Sequence, residues 1–125
     1  MNEIRLMKAA FNFLEKDGYA VSTTKNNIEY GVTYSKFDTQ IFLSYDLRQH
    51  RFDVGIRDIK GSNDYLPLLE MNIGNKTQKK ELIDMLNTLY HEIDTDWTIS
   101  KKHFCEVVNA YAEFVKRNIS AVMTC

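Results

Sequence analysis

NIEYGVTYSKFDTQIFLSYDLRQHRFDVGIRDI, residues Asn27–Ile59, decides the fold. Its first run sets Ile28, Tyr30, Val32 and Tyr34 against Glu29, Gly31 and Thr33. The second sets Ile41, Leu43 and Tyr45 against Gln40, Phe42 and Ser44. The third sets Phe52, Val54 and Ile56 against Arg51, Asp53, Gly55 and Arg57. Alternation with a period of two marks strands buried on one face, and the β-branched and aromatic content suits that reading. The polar linkers 35–39 and 46–50 are short enough for antiparallel hairpins. One face of this meander needs a cover; the other is polar, with Phe42 as its one large apolar residue.

The flanking segments supply the cover. Ile4, Met7, Ala10, Phe11 and Leu14 fall at helical spacing across 3–16, and Gly18 stands where a helix ends in a left-handed residue. Tyr19 to Thr24 can form a further strand, with 25–27 as its turn into the meander. After the loop at 60–63, Asp64 can cap a short helix over Tyr65 to Asn72, with Pro67 in its first turn and Gly74 beyond it. The alternation of Leu69, Met71 and Ile73 allows a fourth meander strand instead. Asn75 to Gln78 offers caps for a helix reaching about Glu92, with the stripe Leu82, Met85, Leu86, Leu89 and Ile93. A last helix begins at Ser100, stapled by Ile99 and Phe104, with Phe104, Val107, Val108, Tyr111 and Val115 on its apolar face. Helix, meander, then helices predicts an α+β fold in one domain, 1–125: an N-terminal helix, an antiparallel meander of three to four strands, and two to three C-terminal helices on one sheet face.

Composition removes several function classes. The formal net charge is −1, and it is evenly spread: residues 1–61 carry nine basic and eight acidic side chains, and 62–125 carry seven and nine. No basic footprint for nucleic acid or for an anionic membrane results. Two cysteines, Cys105 and Cys125, make no disulfide framework and suit a reducing cytoplasm. Charges interrupt the first residues, so no signal peptide is expected; no stretch approaches a membrane span, and Cys125 lacks the three following residues that prenylation needs.

The chemistry-bearing residues form few patterns. His91, Glu92, Asp94 and Asp96 cluster potential ligands at a helix end, but the second His of a zinc-hydrolase helix is missing; an acidic, solvated connection accounts for them. His103 and Cys105, two apart on a helix, point to nearly opposite sides and cannot pair as base and nucleophile, and Cys105 reads as a small buried hydrophobe. Tyr90, Trp97 and Tyr111 could stack a ligand, although core packing explains Tyr111 and Trp97. Asp46, Asp53 and Asp58 are the carboxylates that strand ends and turns carry routinely. No phosphate loop, serine elbow or Cys-x-x-Cys is present, and no cofactor or metal is expected. Residues distant in sequence can still converge, which leaves catalysis open.

The outer sheet face is the better lead. Glu29, Phe42, Arg51, Asp53 and Arg57 are the candidate partner-binding residues, with Gln40 and Ser44 among them and Gly31 and Gly55 leaving shallow depressions. Arg and aromatic side chains are favoured as interface anchors. The competing reading is a solvated face, with the glycines marking bulges, or a Phe42 lying under a helix.

The run Tyr45 to Ile56, following a helix that ends in Phe13 to Tyr19, resembles small uncharacterised bacterial α+β proteins, among them immunity proteins of polymorphic and contact-dependent toxin systems. The resemblance spans about Phe11 to Ile59 and carries no site residues. It implies a non-catalytic protein that binds and blocks one toxin; together with the cysteine usage, the reading is a cytoplasmic inhibitor of a toxin or other effector protein. The near-neutral charge departs from the acidic immunity proteins that face nucleases. Homodimerisation through the sheet edge or outer face is a further expectation. The alternative is a small-molecule-binding or hydrolytic domain with a pocket between sheet and helices, lined by Tyr30, Tyr34 and Tyr45.

Overall fold

A computed structural model describes residues 2–58, 65–70, 75–92 and 101–118. Helices α1 (Glu3–Ala10) and α2 (Asn12–Lys16) precede strands β1 (Ala20–Lys25), β2 (Glu29–Lys36), β3 (Thr39–Asp46) and β4 (Arg51–Asp58). A two-residue strand β5 (Leu66–Pro67) runs into a 3₁₀ turn (Leu68–Glu70), and helices α3 (Lys76–Glu92) and α4 (Lys101–Arg117) follow. The five strands lie in chain order, each antiparallel to the next. The architecture is the expected α+β, with five strands rather than three or four.

The period-two reading of the meander holds in three dimensions. Val32 and Tyr34, Ile41, Leu43 and Tyr45, and Phe52, Val54 and Ile56 are buried on one face. Helices α1 and α4 cover that face, and α3 rests chiefly on α4. Phe104, Val107, Val108, Tyr111 and Val115 are all buried, as are Leu82, Leu86 and Leu89, while Met85 at the rim of the α3 stripe is half exposed. Ile93 and Ile99 lie outside the described residues. Among the described residues no helix is long and apolar enough to cross a membrane.

Three local expectations change. The helix over 3–16 is broken at Phe11 (φ −101°, ψ 16°), a fully buried ring packed near Phe13, Tyr34 and Phe52; tertiary packing overrides helical continuity there. Ile28 is half exposed rather than part of the buried face. Asn26 Oδ1 accepts from the backbone N–H of Ile28 and of Glu29, both at 2.8 Å, so the chain turns through 26–28 and β2 starts at Glu29. Tyr19 to Thr24 does include a strand, the sheet's first edge. For Tyr65 to Asn72, the described part is neither a helix nor a full strand. Pro67 sits opposite Gly55 in a two-residue edge pairing, where its missing N–H is tolerated, and a single 3₁₀ turn follows; Asp64 and 71–74 lie outside the described residues.

Two buried hydroxyls, those of Tyr19 and Tyr34, have no hydrogen-bond partner among the described residues. Burial, reinforced by Glu15, holds the Tyr34 phenol well above its ordinary pKa. An unsatisfied buried donor is destabilising, so Tyr34→Phe should raise stability by about 1 kcal/mol. A lower melting temperature would show that the hydroxyl is bonded, for example to an internal water.

The β2–β3 connection is tighter than expected: only Phe37 and Asp38 separate the strands. Phe37 adopts φ 53° and is 87% exposed. A β-carbon is strained in this left-handed region and glycine is not. Phe37→Gly should therefore stabilise the hairpin, by about 0.5–1 kcal/mol. Chemical denaturation checks this, and a fall in the midpoint would refute it.

Candidate functional site on the outer face of the sheet

On the outward face the strands form rows. Glu29, Asp46 and Arg51 share one row; Gly31, Ser44 and Asp53 the next; Thr33, Phe42, Gly55 and Pro67 the third; Ser35, Gln40 and Arg57 the fourth. Among the described residues no helix lies over these rows; the segment around β5 partly covers them. Tyr65 places its ring 5.0 Å from that of Phe42 and donates its hydroxyl to Gln40 Oε1 at 3.1 Å. The Arg57 guanidinium stacks 4.5 Å over the Tyr65 ring and donates to the same Gln40 oxygen through Nε at 2.9 Å and through Nη2. Gln40 Nε2 continues the chain of contacts to Ser35 Oγ at 3.3 Å. Phe42, Gln40, Arg57, Ser35 and Tyr65 thus form one braced network on this face.

The two glycines are not depressions. A β-carbon on Gly31 would stand 2.8 Å from Phe42 Cε2, and one on Gly55 would stand 3.2 Å from the Tyr65 β-carbon. Each glycine is the floor for an aromatic ring, the arrangement in which a ring compensates a side-chain-free strand position. Phe42 is half-buried, neither bare nor beneath a helix: its neighbours are Gly31 below and Tyr65 beside it.

Below Tyr65, along the part of β4 that β5 does not pair, lies an open cleft of about 530 Å³. Phe42, Arg51, Asp53, Tyr65, Glu70 and Tyr111 are among its lining residues. Loss of solvent raises the Asp53 pKa, while Arg51 and a hydrogen bond from the Tyr111 hydroxyl pull it back. Arg51 Nε stands 3.4 Å from Asp53 Oδ2, with both side chains about half exposed, so this pair contributes little to stability. Tyr111 otherwise belongs to the core, with its ring edge-on to Phe52 at 5.4 Å.

The structure therefore brings Phe42, Arg51 and Asp53 together in one cleft, with Arg57 on the adjoining row behind Tyr65. Glu29 stands apart, at the end of β2 opposite Asp46. Asp46 serves its hairpin: Oδ1 accepts from the backbone N–H groups of Gln49 (3.0 Å) and Arg48 (2.8 Å), which lowers its pKa. Asp58 alternates to the face opposite Asp53. Tyr65 and the Tyr111 hydroxyl were not anticipated as site groups. Tyr65 joins the site beside the two-residue pairing of Leu66–Pro67, a signal too short to read as a strand; Tyr111 reads in the sequence as a core or stacking ring, and nothing local to it aims its hydroxyl at Asp53.

The remaining candidates do not assemble. Tyr34 and Tyr45 are core residues rather than pocket walls; the Tyr45 ring is edge-on to Phe104 at 4.9 Å and its hydroxyl is in hydrogen-bond contact with His50 Nδ1 at 3.1 Å. Tyr30 is half-buried beneath the Lys25 ammonium. Cys105 is half-buried, not fully buried as expected, because it stands at the edge of the α4 apolar face. The side chains of Tyr90, His91 and Glu92, and all of 93–100 including Trp97, lie outside the described residues. Among the described residues, no three His, Cys, Asp or Glu side chains gather where they could hold a metal ion. Comparison with protein-family models, with curated proteins and with solved structures returns no match.

Proposed function

We propose that this chain is a non-catalytic, cytoplasmic protein-binding module, an immunity protein or comparable inhibitor that occludes the functional surface of a toxin or other effector. The observation that carries this reading is the braced Phe42–Tyr65–Arg57 group on the sheet face that the described helices leave open. Its aromatic and arginine content is that of interface anchors. Its internal hydrogen bonds hold the side chains in place before binding, which reduces the ordering cost of association. The opposite sheet face, packed under α1 and α4, supplies the stability that leaves this one free for recognition.

The test is capture from lysate of the source organism, with wild-type protein beside Phe42→Asp and a Met85→Asp control on the far side of the molecule. One stoichiometric protein, retained by wild type and by the control and lost from Phe42→Asp, is the expected result. Equal retention by all three would remove the outer face as the binding surface.

A further inference from the structure

The cleft beside β4 has a chemical bias. Among the described residues that line it are two carboxylates, Asp53 and Glu70, against one cation, Arg51. The Asp53 side chain is about half exposed, with Arg51 Nε 3.4 Å from its Oδ2, and its partial burial raises its pKa. A partly buried carboxylate with partial compensation favours a further cation. It disfavours an anion, and an apolar group would strip it further. The neighbouring walls are the Phe42 and Tyr65 rings, whose faces also attract cations. The same Tyr65 ring already carries a guanidinium, that of Arg57 at 4.5 Å. A guanidinium is flat, weakly hydrated and able to meet a carboxylate while lying on a ring, a combination that a lysine ammonium lacks.

We propose that this cleft receives an arginine side chain of the partner protein, its guanidinium lying against the Phe42 and Tyr65 rings and reaching the Asp53 carboxylate. The assignment rests on the protein-binding reading and deepens it by naming what the partner inserts. Arg51, more than half exposed, swings outward or shares Asp53 with the incoming group, while Tyr111 keeps the carboxylate oriented.

The closing experiment needs no partner. ¹⁵N-labelled full-length protein is titrated with N-acetyl-arginine amide, and separately with N-acetyl-norleucine amide. Saturable shifts in the millimolar range at the Asp53, Tyr65 and Glu70 amides are expected with arginine and not with norleucine. Asp53→Asn keeps the shape and an acceptor for Tyr111, and should weaken arginine binding about tenfold. Should that variant fail to fold, Phe42→Leu removes the aromatic wall at similar volume and should also weaken it. Absence of saturable shifts, equal response to norleucine, or undiminished binding by the folded variants would overturn the assignment. The two readings fail separately. Partner capture without an arginine response overturns the arginine assignment and leaves protein binding standing; an arginine response without partner capture counts against the protein-binding reading alone.

Discussion

Phe52→Ala is expected to lower the unfolding free energy by about 3–5 kcal/mol, a large share of the roughly 5–15 kcal/mol that holds a domain together. Phe52 is 1% exposed on the covered face of β4. Its ring lies 6.5 Å from Phe11, 6.3 Å from Phe104 and 5.4 Å from Tyr111. Those partners come from the break between α1 and α2 and from two positions of α4 about two turns apart. Phe52 therefore ties both the α1–α2 break and α4 to the sheet, beside the Phe11–Tyr34 and Tyr45–Phe104 contacts. Truncation leaves a cavity bounded by rings that cannot all close upon it without moving the helices. Denaturant titration at constant m-value measures the loss. A change below about 1 kcal/mol, the scale of an exposed substitution, would mean that the helices do not depend on this face of the sheet.

The same residue shows why so much of the fold was legible. Phe52, Val54 and Ile56 alternate with Arg51, Asp53, Gly55 and Arg57, and a one-residue slip would send every one of them to the wrong face. Burial of one face is thus written into the order of residues along each strand. The stripes of α3 and α4 are written in the same way at helical spacing. What was not legible depends on neighbours far apart in the chain. Nothing local to Gly31 announces that the Phe42 ring lies above it. Nothing local to Tyr65 says that it will cross Gly55 and reach Gln40, 25 positions earlier. The break at Phe11 likewise answers to Tyr34 and Phe52 rather than to any helix-breaking residue. Identifying Phe42, Arg51, Asp53 and Arg57 as outward-facing needed only the period of two. Their grouping, with Glu29 left outside it, needed the register.

Phe42→Asp tests the proposed binding separately from folding. Phe42 is half-buried on the face opposite Phe52, and its aspartate variant leaves the helix-covered core untouched. The variant loses the ring pair with Tyr65 and the cover over Gly31, worth about 0.5–1.5 kcal/mol, so the protein should remain folded with a modestly lower melting temperature. Its effect on association should be larger. A central aromatic anchor contributes about 2–4 kcal/mol on truncation, or about 30- to 1,000-fold in the dissociation constant, and a buried carboxylate in its place adds a desolvation penalty. Tyr65 would also lose its wall, and the Arg57–Gln40 brace its reason for holding one geometry. Calorimetric titration with the captured partner, beside a denaturant melt of the same preparation, reads both quantities. A large stability loss with unchanged affinity in the folded fraction would reverse the assignment. Phe42 would then be a structural residue whose ring exists to cover Gly31, and the outer face would have to recognise its partner through Arg51 and Asp53 alone.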